Sequence, residues 1–248
     1  MLILLPPSET KSPRPRGRAT DPAALSFPAL APSRRAVLDA LAQVSGRPDA
    51  PRLLGVPPTL GDVVARNTEV LHSPATPVGE LYTGVLYDAL DLPTLTGAAR
   101  RRANAWLVVV SAAYGALRMT DRVGGYRLSM DVDLPGVGRL APWWRDRLAA
   151  PLAEAAGSGL VVDCRSASYA AAWRPTGPAT ARWVQVVVPG ASHGAKHTRG
   201  LVARHLCEHG STARTPAALA RELESVFEVE LTPPARAHQP WQLATTAR

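Results

Sequence analysis

Apolar residues gather into short unbroken runs, and the stretches between them carry helical periodicity. Leu2-Ile3-Leu4-Leu5 is the first run; it is closed by Pro6-Pro7, so residues 1–5 read as a buried strand. Trp106 to Val110, Leu160 to Asp163 and Trp183 to Val188 repeat the pattern with many β-branched residues, as strands buried on both faces do. Ser33 is placed to cap a helix over 34–45, with Val37, Leu38, Leu41 and Val44 on one face. Short helices are expected near 60–71 and 79–90. Thr94 or Thr96 then caps a helix that carries Arg100, Arg101 and Arg102. Pro142 opens a helix to about residue 156, residues 195–209 form one stopped by Gly210, and Thr215-Pro216 opens another to about 226. Weaker patterns predict strands over 126–132 and 227–231. Strands alternating with helices give an α/β chain with mixed α+β character, folded as one compact domain over 1–235 with a loose tail at 236–248.

Composition adds limits. The 24 prolines and 19 glycines among 248 residues fit many turns, and residues 6–32 and 46–58 are proline-rich connections. No run approaches the roughly 18 apolar residues of a membrane span. The opening run has no charged leader and no cleavage-like site after it, so a cytoplasmic protein without a membrane partner is expected. Cys164 and Cys207 lack metal-ligand spacing and the six histidines form no His-Glu-x-x-His pair, so neither metal nor cofactor is expected.

The formal net charge of +8 favours anionic partners. Only two of the 28 basic residues are lysines, Lys11 and Lys196. Arginine serves for surface charge and phosphate binding. Lysine differs in being a compact ammonium whose proton can be lost on burial, which marks both positions for chemistry.

The densest polar region follows the Trp106–Val110 run. Ser111, Tyr114, Arg118, Asp121, Tyr126 and Arg127 lie within seventeen residues, just past the carboxyl end of a core strand, where α/β proteins bind ligands. The two arginines suit a phosphate or carboxylate. Lys196 and Arg199 are three apart and share a face of a helix, with Ser192, His193 and His197 flanking the same turn.

Ser111-x-x-Tyr114-Gly115-x-Leu117-Arg118-x-x-Asp121, followed by Tyr126-Arg127-x-x-Met130, resembles the central signature of the YaaA peroxide-stress family. Leu2 to Leu5 with Pro7-Ser8-Glu9-Thr10-Lys11, Tyr82-Thr83-Gly84, Trp143-Trp144, Val162-Asp163 through Ser168-Tyr169, and Lys196-x-x-Arg199-Gly200 match further motifs of that family in the same order. The resemblance spans about residues 1–205; Met119, Trp143 and Ala167 depart from it, and 12–60 matches little. It implies an unusual mixed α/β fold with a positively charged cleft, a helix-hairpin-helix-like element, and DNA binding that limits oxidative damage.

Two readings stand side by side. One is sequence-independent DNA binding by Lys11, Arg118, Arg127, Lys196 and Arg199, helped by Arg100, Arg101 and Arg102. The minor-groove-hook-like strip Pro13-Arg14-Pro15-Arg16-Gly17-Arg18 would add to it. The other is an enzyme or sensor for a small anionic, nucleotide-like ligand, with Lys11, Ser111, Tyr114, Asp121, Tyr126 and Lys196 as candidates for proton transfer or nucleophilic attack.

Overall fold

In the computed structural model, which describes residues 1–190 and 193–247, the apolar runs assemble side by side. The main sheet has seven strands: β1 (Leu2–Leu5), β2 (Leu107–Ser111), β3 (Gly115–Arg118), β4 (Val161–Asp163), β5 (Trp183–Val187), β6 (Phe227–Thr232) and β7 (Trp241–Ala247). Their order is β6-β7-β5-β4-β1-β2-β3. The five inner strands are parallel, and β3 and β6 run antiparallel at the two edges. Ile3 pairs with Leu107 on one side and Val162 on the other. Every residue of β1, β2 and β4 is buried, which explains why these strands are continuous apolar runs and do not alternate.

Six helices matter for the argument: α1 (Ala31–Ser45), α2 (Val85–Leu90), α3 (Gly97–Trp106), α4 (Leu140–Ala156), α5 (His193–His209) and α6 (Pro216–Leu223). Helix α4 buries Leu140, Trp144, Leu148 and Leu152, and α1 buries Val37, Leu38, Leu41 and Val44 as the periodicity predicts. Thr215 caps α6 by accepting from the Ala218 amide at 3.2 Å. Helix α1 begins before Ser33; Pro32 occupies its first turn and no side chain caps it.

Other expectations change as well. Residues 126–132 form no strand, because the Arg127 backbone is satisfied by a side chain: its amide donates to Asn67 Oδ1 at 2.8 Å and its carbonyl accepts from Asn67 Nδ2 at 3.0 Å. The helix expected over 79–90 is broken into Val78–Leu81 and α2 by Tyr82-Thr83-Gly84. The tail expected over 236–248 contains β7, an interior strand between β5 and β6. Leu243 and Thr245 of that strand are fully buried, and its threonines suit a pleated sheet.

Buried arginines brace the loops. The Arg34 guanidinium donates to the carbonyls of Tyr114, Ser26 and Ala116 at 2.9, 2.6 and 2.8 Å. Burial pushes it down to about 10, opposed by the nearby Asp121 carboxylate. Arg165 and Asp163, both without exposure, form a two-point ion pair at 2.8 and 2.7 Å. Arg165 also donates to the carbonyls of Tyr169 and Trp173, and Trp183 Nε1 donates to Asp163 at 3.1 Å. With each polar atom matched, this pair pins the turn from Cys164 to Trp173 to the end of β4.

Candidate functional site

A cavity of about 640 Å³ opens at the carboxyl ends of β1 and β4, the position that open parallel sheets leave for ligands. The turn after β1 (Pro6–Lys11) forms one wall, the segment Thr83–Tyr87 another, and Arg127–Asp131, Ser166–Tyr169 and two residues of α5, Lys196 and Arg199, complete it. Gly84 lies at φ +95°, a conformation that side chains disfavour, and a Cβ there would come within 3.1 Å of Thr10 Oγ1. The Tyr82-Thr83-Gly84 step thereby seats the start of α2 against the Ser8–Thr10 turn.

Lys11 is anchored on this wall. Its backbone bridges to Tyr82, and the Ser12 amide donates to the Leu81 carbonyl at 2.9 Å. Lys11 Nζ donates to the Ser8 carbonyl at 2.7 Å. The ammonium lies 4.3 Å from the Tyr126 ring centroid and 5.5 Å from that of Tyr82. Among the described residues it has no carboxylate partner, since Glu9 pairs with Arg127 at 3.0 Å. Burial, and then the Arg127 charge, lower the amine to about 7 against a smaller opposing pull from Glu9.

Behind Lys11 runs a buried line of hydroxyls. Ser111 Oγ accepts from the amides of Ala113 and Tyr114 at 3.2 and 3.1 Å. Both of its lone pairs are thereby used, which leaves its proton for the Tyr126 oxygen at 2.7 Å. The Tyr126 and Tyr82 hydroxyls are in turn hydrogen-bonded to each other at 3.0 Å. Burial raises the Tyr82 and Tyr126 phenols well above their ordinary range, so both stay protonated at neutral pH. On the cavity wall, burial pushes the Tyr169 phenol up to about 12.

Of the residues singled out in the sequence, Lys11, Arg127, Lys196 and Arg199 converge on this cavity. Arg199 keeps one nitrogen on the Val186 carbonyl at 3.1 Å, and Lys196 is exposed at the rim. Ser111 and Tyr126 lie behind the wall. Tyr114 is fully buried and donates to the Gly124 carbonyl at 3.3 Å. Asp121 braces loops, accepting from the Ser26 amide and hydroxyl and from the Arg118 amide.

Arg118 points elsewhere. It is the last residue of the edge strand β3, donates to the Ala105 carbonyl at the end of α3 and stacks on Phe27. It lies opposite Val108, toward the amino end of β2, away from the cavity. Arg100 donates to the Leu92 carbonyl at 2.7 Å, and Arg102 donates to the carbonyls of Cys207 and Glu208 at the end of α5. Arg101 alone of the three is exposed. Arg14, Arg16 and Arg18 are exposed on a strip that leaves the cavity wall at Lys11, and Arg14 pairs with Glu80 at 2.5 Å. Ser192 lies outside the described residues. Among those residues no cluster of three or more His, Cys, Asp or Glu is disposed to hold a metal, and no helix is long and apolar enough to cross a membrane.

Sequence reasoning passed over Tyr82, Asn67 and the Asp163–Arg165 pair. Tyr82 carried a signal, since it lies in a matched motif. Asp163 and Arg165 also lie within a matched stretch, but an arginine in so arginine-rich a chain is not distinctive by itself.

The family model described as "Peroxide stress protein YaaA" matches residues 1–229. A UPF0246 protein of Streptomyces coelicolor is 47% identical, the alignment covering 98% of this chain and 97% of that protein. One from Corynebacterium efficiens is 36% identical over 92% and 95%.

Proposed function

The chain belongs to the YaaA peroxide-stress protein family, and on that premise we propose that it binds DNA, largely without sequence preference, by drawing the phosphate backbone across the mouth of this cavity. The observation that carries the reading is the convergence of Lys11, Arg127, Lys196 and Arg199 from three separate segments onto one opening. Cations so placed contact phosphates and read no bases. The exposed arginines at 14, 16 and 18 extend the basic surface from the same wall. Arg118, Arg100 and Arg102 lie outside this cavity and donate to backbone carbonyls elsewhere; Arg101 is exposed.

Anisotropy of a labelled duplex across a salt series tests this. Log affinity should fall linearly with log salt. Lys196→Ala and Arg199→Ala should each reduce the slope by about one, and Arg118→Ala should leave it unchanged. Absence of binding at low salt, or slopes indifferent to Lys196 and Arg199, would overturn the reading.

A second reading, a small phosphate- or carboxylate-bearing ligand, draws on a different observation. The cavity is enclosed enough for a nucleotide-sized molecule, and backbone binding needs no such depth. Calorimetric titration with a nucleoside monophosphate that binds while duplex DNA does not would select it.

A further inference from the structure

The two lysines of the chain line the same cavity. Lys196 is an exposed rim cation, and an arginine could replace it in contacting phosphate. Lys11 is different. It is half-buried, packed on the Tyr126 face, and its nitrogen meets only backbone carbonyls. The neighbouring carboxylate of Glu9 is held by Arg127. An amine without an acid partner is poorly arranged to pass a proton back and forth, but needs no partner to attack carbon.

We infer that Lys11 is a nucleophile that condenses with an aldehyde on a phosphate-bearing sugar seated in the cavity. The inference rests on the cavity binding a phosphate-bearing ligand. The free amine adds to the carbonyl carbon, and a proton moves from nitrogen to oxygen to give a carbinolamine. Loss of water then leaves an imine, with no change in oxidation state and no further reactant. Lys11 is held to about 7, so much of it is free base at neutral pH. The protonated imine keeps a positive charge against the Tyr126 ring, which favours a cation. Arg127, Lys196 and Arg199 supply the grip on the phosphate. Such an aldehyde reaches the cavity either as an abasic sugar within DNA or as a free sugar phosphate; the chemistry at Lys11 is the same.

The scarcity of lysine makes the test clean. The wild-type protein is incubated with glycolaldehyde phosphate, with glycolaldehyde, or with a duplex holding one abasic site, each with cyanoborohydride, and adducts are located by peptide mass mapping. The reduced adduct should fall on Lys11, about tenfold more with the phosphorylated than the plain aldehyde. It should be absent at position 11 in Lys11→Arg, which keeps the charge but cannot condense. The more reactive phosphate-bearing probe identifies the source. Adducts confined to Lys196 or the Met1 amine, equal labelling by both small aldehydes, or no adduct with either phosphate-bearing probe would overturn the inference. DNA binding without a Lys11 adduct removes the imine and leaves the DNA reading intact. A phosphate-dependent Lys11 adduct without DNA binding removes DNA as the ligand and leaves the imine.

Discussion

Lys11 gives up part of its hydration where it packs against Tyr126 and Tyr82, and the cost appears in stability as well as in reactivity. Its amine titrates near 7 in the folded chain and near 10.5 when free. Below about pH 7 both states hold the proton, and the folded protein carries the full cost of burying the charge. Between about 7 and 10.5 only the unfolded chain stays protonated, so stability rises with pH. The denaturant midpoint of the wild type, relative to Lys11→Met, should therefore be flat up to about pH 7 and climb above it. A difference flat from pH 6 to 9.5 would mean that the folded amine titrates normally.

At the scale of elements, the cavity depends on how closely α5 approaches α2. A Cβ on Gly200 would lie 2.3 Å from the Leu86 carbonyl oxygen, so Gly200→Ala must push the helices apart. The expected cost is about 1–3 kcal/mol, as for other overpacked contacts. Arg199 is the preceding residue and Lys196 lies one turn earlier on the same helix, so DNA affinity should fall with stability; a variant with unchanged melting and affinity would show that the contact is soft. What was legible in the sequence follows from such local facts. The buried strands announced themselves because Leu2–Leu5 and Leu107–Val110 are apolar throughout. The region past Ser111 was legible as polar, but its roles were not: whether Asp121 faces a ligand or the Ser26 amide depends on a loop ninety-five residues away in the chain. Arg118 and Arg127 look alike in sequence, and only the direction of an edge strand sends one away from the cavity. Lys11 stood out because arginine is used almost everywhere else.

The whole molecule is built on a mixed sheet with a parallel centre, and the cavity at its carboxyl end gathers cations from distant segments, within a chain of net charge +8. Its edges are closed by antiparallel strands, and one of them, β6, is joined to the rest only through β7. Removing residues 236–248 should therefore do far more than trim an end: it should leave the β5 edge unpaired and β6 without its neighbour. Loss of soluble expression, or a large drop in melting temperature, is expected. A truncated protein that melts like the full chain would make β7 dispensable.

The position of β7 also governs the order in which the sheet can be completed. During synthesis β6 leaves the ribosome before β7 does, yet its seat lies one strand farther out. The nascent chain must hold β6 away from the β5 edge until β7 has emerged to be laid between them. The polar outer residues of β6, Glu228 and Glu230, suit that wait, because their charges discourage early pairing with the wrong edge.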